Sequence, residues 1–148
     1  AFFGHMGLGA VALGTGGFQF FEKWRQRRPQ LHRRLGRVYL VAVALSGVAA
    51  LVAAQNATGG WVTRLGFSTL AVLWLLTAAL AFYHIRQGRV AEHRVWMRYN
   101  YALTLAAVSL RIWLPLLIGG VGMDFLEAYR WVAWISWLPH LVIVRLTD

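Results

Sequence analysis

The sequence HRVWMRYNYALTLAAVSLRIWLP, residues 93–115, largely decides the fold that we predict for this chain. Its polar face consists of His93, Met97, Asn100, Thr104 and Arg111. These positions follow one another at steps of four, three, four and seven residues, which is the spacing of one face of an α-helix. The first and the last lie about 27 Å apart along the axis, nearly the thickness of the hydrocarbon core of a bilayer. The rest of the surface is apolar, so the stretch predicts a membrane-crossing helix with a polar stripe.

The composition indicates an integral membrane protein. Of the 148 residues, 59% are hydrophobic and only 14% are charged, and we expect residues 1–148 to form a single transmembrane helical domain. The net charge of +10 is concentrated in two short segments between apolar runs, 22–37 and 85–92, which indicates membrane topology and disfavours a nucleic-acid partner. Cysteine is absent from the sequence, so a metal or a haem would need histidine ligands.

The apolar runs predict an all-α bundle of about five transmembrane helices. The predicted spans cover about 2–21, 38–55, 62–84, 93–118 and 128–146. By the positive-inside rule the basic segments face the cytoplasm, which gives an outer N-terminus and a cytoplasmic C-terminus. We expect a multi-pass protein of the bacterial inner membrane whose basic loops contact anionic lipids. Pro115 and Pro139 are expected to kink or end the last two helices.

An outer site formed by His5 and Arg111 is the sharpest structural prediction. His5 begins the first helix on the outside, and Arg111 lies toward the outer end of the fourth, so the two are expected at similar depth. An arginine inside a bilayer costs at least about 2.5 kcal/mol and therefore faces protein, water or an anionic ligand. Two interpretations stay open: an anchor that reaches the outer head groups, or a ligand for a carboxylate, propionate, phosphate or quinone oxygen.

The other histidines are predicted to lie toward the cytoplasmic face, with His32, His84 and His93 near it and His140 somewhat deeper. A b-type haem needs two imidazoles on opposite faces of the ring, and an arginine could then pair with the propionates. His5 or His93 would be the iron ligand, with no further metal site expected. Quinone chemistry without haem and simple helix packing are the alternatives. Asn100, His84 and His140 are weaker candidates than His5, His32, His93 and Arg111.

Two short motifs link the chain to a known family. They are the His-Arg-x-x-Gly-Arg box at His32 to Arg37 and the His-Arg-x-Trp-Met box at His93 to Met97. With the apolar helices around them, they resemble a widespread prokaryotic family of predicted membrane proteins of unknown function, over nearly the whole chain. The resemblance implies an additional N-terminal helix before residue 1. It also implies asparagine where this chain has His140, which weakens a haem-ligand role for that residue.

The leading functional hypothesis is haem-b or quinone handling, in electron transfer or in oxidase assembly. His5, His93 and Arg111 would then line a polar interior. The overall look is similar to small membrane cytochromes b, although this rests on architecture and histidine count alone. The alternative is a non-catalytic accessory subunit of a larger membrane bioenergetic complex, with other membrane subunits as partners. Small-residue helices and rows of aromatic side chains suit both hypotheses.

Overall fold

The computed structural model describes residues 1–147, and that part of the chain contains helices and no strand. The α-helices are α1 Phe2–Phe18, α2 Glu22–Arg27, α3 Pro29–Gln55, α4 Trp61–Arg86, α5 Val90–Thr104, α6 Ala106–Pro115, α7 Phe125–Ile135 and α8 Leu138–Thr147. A π-helical turn, Leu116–Gly120, directly follows α6. The prediction of an all-α fold is confirmed.

Three helical segments are long and apolar enough to cross a membrane. They are Pro29–Gln55, Trp61–Arg86 and Val90–Gly120, and the last of these joins α5, α6 and the π turn. They correspond to the second, third and fourth predicted spans. The first and the fifth predicted spans fall on shorter helices. Helix α1 has 17 residues, and the last apolar run is divided between α7 and α8. The count of five spans therefore stays a prediction.

The second span begins earlier than its hydropathy indicates. Helix α3 starts at Pro29 instead of near residue 38, so the basic box His32 to Arg37 lies on its first turns. Proline suits the first turn of a helix, because its fixed φ is already helical and its missing N–H has no partner there. Arginine also has good helix propensity, and its aliphatic stem can cover apolar surface while its head reaches water.

Pro115 and Pro139 both lie at changes of helix geometry, as predicted. After Pro115 the backbone switches to the π turn, in which Val121 N–H donates to the Leu116 carbonyl at 3.1 Å. Pro139 has no N–H to offer the carbonyl of Ile135, and α7 ends at that residue. α8 begins at Leu138, so the last apolar run bends near Ser136. Ser136, at this bend, is one of the residues that line the cavity described below.

Small residues let the helices approach closely. α3 packs between α1 and α4, and α4 packs on α5 and α7. At Gly66 a Cβ atom would lie 2.7 Å from the backbone carbonyl oxygen of Ala133 in α7, so only glycine allows this contact. One face of α3 remains more than half exposed at Val41, Leu45 and Val48. Such an apolar face suits lipid contact in a membrane protein.

Candidate functional site

A cavity of about 790 Å³ opens at the end of the bundle where α1 begins and α3 ends. We call it the outer cavity. Its volume is within the range of small-molecule sites, and most of its wall consists of alanine, leucine and phenylalanine side chains. A few polar side chains also line it; they include His5, Thr104, Arg111, Tyr129 and Ser136. An apolar wall with a few polar groups is the usual character of a binding site for an amphiphilic molecule.

Arg111 is a cation on the wall of the outer cavity without an anionic partner. Its Nη1 donates to the carbonyl of Ala107, one turn earlier in α6, at 2.6 Å. Within residues 1–147 the one ion pair is formed by Arg25 and Glu22, so Arg111 pairs with no described carboxylate. A guanidinium has five N–H donors in a fixed fork. Arg111 therefore keeps donors free for a ligand oxygen.

His5 lines the same cavity and is held by Ser46 of α3. Its Nδ1 lies 3.0 Å from Ser46 Oγ and 3.2 Å from the Ser46 carbonyl oxygen. In return, Ser46 Oγ donates to the carbonyl of His5 at 2.9 Å. The imidazole also meets the Trp74 ring edge-on, with centroids 6.4 Å apart. These contacts fix both the position and the orientation of the ring.

Ser136 adds a buried hydroxyl that has no hydrogen-bond partner among the described residues. The side chain is fully buried in the bend between α7 and α8, and it lines the outer cavity. Leaving a buried polar group unpaired costs about 1–3 kcal/mol. Nearly all buried polar groups in proteins are paired, so this unpaired hydroxyl is one of few exceptions among the described residues.

Below the outer cavity the polar stripe becomes a closed hydrogen-bond network around Asn100. We call it the Asn100 network; it consists of Tyr39, Trp74, Thr77, Asn100 and Thr104. Asn100 Nδ2 donates to the Trp74 carbonyl and to Thr77 Oγ1, both at 2.7 Å, and Tyr39 Oη donates to Asn100 Oδ1 at 2.6 Å. Asn100 is fully buried. All the hydrogen-bonding capacity of its amide except one lone pair is used by α3 and α4.

Thr104 connects the network to the cavity. Its Oγ1 accepts from Trp74 Nε1 at 2.9 Å and lies 2.9 Å from Tyr39 Oη. Because the Trp74 carbonyl can only accept, the Asn100 amide is oriented with Nδ2 toward it, and Tyr39 must be the donor to Oδ1. Both Trp74 and Thr104 also line the cavity. The network is therefore the inner end of the cavity as well as the contact that joins three helices.

His32, His84, His93 and His140 do not line the outer cavity, and the first three lie toward the other end of the bundle. His93 Nδ1 lies 2.8 Å from the carbonyl of Ala81 in α4, and His32 is close enough to His93 to interact electrostatically. His84 Nδ1 is buried without a partner among the described residues. His140 Nε2 lies 2.6 Å from Ser109 Oγ, so this histidine joins α8 to α6. The stripe thus does not bring His93 to Arg111.

The histidine pattern bears on the haem hypothesis. Only His5 among the described histidines lines the outer cavity, whereas a bis-histidine haem needs two imidazoles on opposite faces. Met6 is its neighbour in sequence and points about 100° away around α1, so it cannot be the opposite ligand. No group of three or more metal-binding side chains occurs in the described part of the chain. The cavity suits an organic head group better than a haem with two protein ligands.

Several residues of the site escaped the sequence analysis. Ser136 lies in a tryptophan-rich run, Tyr39 in an apolar one, and neither has a periodic signal that marks it. Trp74 looks like any interfacial or packing tryptophan. A signal was available for Thr77 and Ser46, because polar residues inside predicted spans need a partner in lipid. Their partners could not be named without the packing of the helices.

Comparison with known proteins gives one match. The model of a family described as "Predicted membrane protein (DUF2306)" matches residues 2–147. No curated protein and no solved structure matches the chain at a significant level. The match covers both sequence boxes and every helix described above.

Proposed function

The chain belongs to this family of predicted membrane proteins of unknown function, and from that premise we propose that its outer cavity binds a quinone from the membrane. The wider class is an amphiphile with an oxygen-bearing head group and an apolar tail. Quinone handling in electron transfer is the hypothesis from the sequence that this cavity supports best. A haem bound by two histidines has less support, because one histidine lines the cavity.

The observation that carries the proposal is Arg111. Its helix segment, Val90–Gly120, is apolar enough to span a membrane, and Arg111 has no carboxylate partner among the described residues. A charged side chain in that setting is costly unless a ligand, water or protein group compensates it. A quinone carbonyl or another ligand oxygen on the free guanidinium donors would supply that compensation.

The shape of the cavity supports entry from the lipid. α1 packs along α3, while α6 packs against α7 and the π turn, so α1 and α6 both line the cavity without packing closely on each other. Ala10 of α1 and Ala107 of α6 both line the cavity and are both exposed. Ala107 lies about 20 Å along the helix axis from Gly120, which corresponds to hydrocarbon depth. A quinone tail can leave the cavity through this gap.

The same proposal includes the topology derived from the sequence. We propose five spans in a bacterial inner membrane, with the N-terminus outside and anionic lipids at the cytoplasmic arginines. The absence of cysteine makes this testable with single-cysteine variants. Gln87→Cys, at an exposed position in the turn between α4 and α5, should be labelled by an impermeant maleimide only from the cytoplasm. Val121→Cys, at an exposed position between the π turn and α7, should be labelled only from outside; the reverse pattern would overturn the orientation.

The binding proposal is tested with the purified full chain and three probes of equal chain length. The probes are an alkyl benzoquinone, an alkyl carboxylate and an alkyl phosphate, each titrated by calorimetry. We expect saturable, tightest binding for the benzoquinone. Arg111→Leu should weaken it by about tenfold or more, the effect of losing a charge-assisted hydrogen bond.

Arg64→Leu is the matched control. Arg64 lies in the first turn of α4 at the same end of the bundle, is exposed, and does not line the cavity. This substitution removes the same charge and should leave affinity unchanged. Tighter binding of the carboxylate or the phosphate would reassign the cavity to a different amphiphile. Equal binding by the wild type and Arg111→Leu would overturn the site.

A further inference from the structure

The hydrogen bonds of His5 carry information about the oxidation state of the ligand. Resting on the proposed function, we infer that the outer cavity prefers the reduced, hydroxyl-bearing form of the quinone head group, with His5 Nε2 as the acceptor of its hydroxyl. The head group would thus be recognised at two points of opposite character. Arg111 donates a hydrogen bond to one oxygen of the head group, and His5 Nε2 accepts a hydrogen bond from a hydroxyl group of the ligand.

The partners of Nδ1 determine which ring nitrogen carries the proton. The Ser46 carbonyl oxygen, 3.2 Å from Nδ1, can only accept a hydrogen bond. Ser46 Oγ has one proton, and it is donated to the His5 carbonyl at 2.9 Å. Both oxygens near Nδ1 therefore act as acceptors, and Nδ1 must be the donor. A neutral imidazole with its proton on Nδ1 presents a bare lone pair at Nε2.

This tautomer is set by the backbone as well as by a side chain. Ser46 is fully buried where α1 meets α3, and its hydroxyl lies 3.5 Å from where a Cβ on Gly9 would stand. On another side the imidazole contacts the edge of Trp74. A ring flip would place the carbon Cδ2 against the Ser46 carbonyl and break the contact of Nδ1. The acceptor at Nε2 is thus held in place before a ligand arrives.

An acceptor distinguishes the two forms of the head group. The oxidised quinone has carbonyl oxygens that can only accept hydrogen bonds. Near His5 Nε2 such an oxygen would lie against a second acceptor, with no proton between them. The reduced form has hydroxyl groups, which donate to Nε2 and still accept from Arg111. A site with a buried hydrogen-bonding group rejects an analogue that lacks the complementary group. The preference for the reduced form therefore follows from His5. Arg111 and the apolar wall determine the affinity that both forms share.

The test compares the affinities of one alkyl benzoquinone and its dithionite-reduced form for the full chain under anaerobic conditions. In the wild type we expect the reduced form to bind about tenfold more tightly, as expected for one hydrogen bond gained and one acceptor clash avoided. In His5→Phe the two affinities should become equal. His5→Gln, whose amide oxygen can accept at a similar position, should recover part of the preference.

His84→Phe is the control, because this histidine lies at the opposite end of the bundle and does not line the cavity. It should keep the wild-type ratio. Equal affinities in the wild type, or a ratio that survives in His5→Phe, would overturn the role of His5 while leaving quinone binding in place. Failure of the wild type to bind either form would instead overturn the proposed function.

Discussion

Asn100 and Arg111 stand on the same predicted stripe, yet they meet different surroundings. Asn100 is enclosed, and its amide bonds to groups of α3 and α4. Arg111 faces a cavity and bonds only to the carbonyl of its own helix, as far as residues 1–147 show. The difference teaches that polar spacing in a span can mark two things. A polar group whose hydrogen bonds are all made within the protein joins helices, whereas a polar group with unused donors indicates a ligand.

Removing Asn100 should have the largest effect on stability. In Asn100→Leu the network loses three hydrogen bonds, and their buried partners lose them inside an apolar region. We expect about 3 kcal/mol of lost unfolding free energy, at about 1 kcal/mol per bond. Reversible unfolding in mixed SDS and mild detergent, followed by circular dichroism, measures it. Asn56→Leu is the control, since Asn56 is exposed and donates to its own helix. Equal losses of unfolding free energy in Asn100→Leu and Asn56→Leu would contradict a special structural role for the Asn100 network.

The contact between α4 and α7 can be disturbed by one methyl group. In Gly66→Ala the new Cβ would lie 2.7 Å from the Ala133 carbonyl, which cannot move without shifting α7. We expect a loss of about 2 kcal/mol, typical of overpacking, and weaker ligand binding, because α7 leads to Ser136 in the cavity wall. Gly14→Ala has no atom within 4 Å of its Cβ and should be neutral or slightly stabilising. Neutral behaviour at Gly66 would contradict the close contact.

Two unpaired buried hydroxyls give a smaller but sharper test. Ser136 belongs to the cavity wall, whereas Thr63, whose Oγ1 is as buried and unpaired as Ser136 Oγ, does not line the cavity. Ser136→Ala and Thr63→Val should each leave the stability of the ligand-free protein unchanged or raise it by up to about 1 kcal/mol. Only Ser136→Ala should weaken quinone binding, by several-fold. If both variants bind equally, Ser136 has no part in ligand recognition.

The sequence predicted the helical class, the three helices that are long and apolar enough to span a membrane, and the family, because hydropathy and periodicity depend on local residues. It also predicted a site formed by His5 and Arg111; both residues line one cavity, and their depth in a membrane stays a prediction. It could not predict that Tyr39 and Trp74 saturate Asn100, since a periodic face does not identify the helix opposite it. It predicted that His5, His93 and Arg111 line one polar interior, although His93 does not line the cavity and the Asn100 network lies between it and Arg111. These features depend on packing, which no single helix encodes.

The central claim is that the stripe divides into a structural part and a ligand-binding part. Its most direct test is the unfolding midpoint of wild type, Arg111→Leu and Asn100→Leu, each with and without the alkyl benzoquinone. A ligand at about 100 times its Kd stabilises by about 2.7 kcal/mol. The account predicts that Arg111→Leu keeps the ligand-free midpoint and loses the ligand-induced rise, whereas Asn100→Leu lowers the ligand-free midpoint. A ligand-free midpoint lowered equally by both substitutions, with the rise intact in Arg111→Leu, would contradict it.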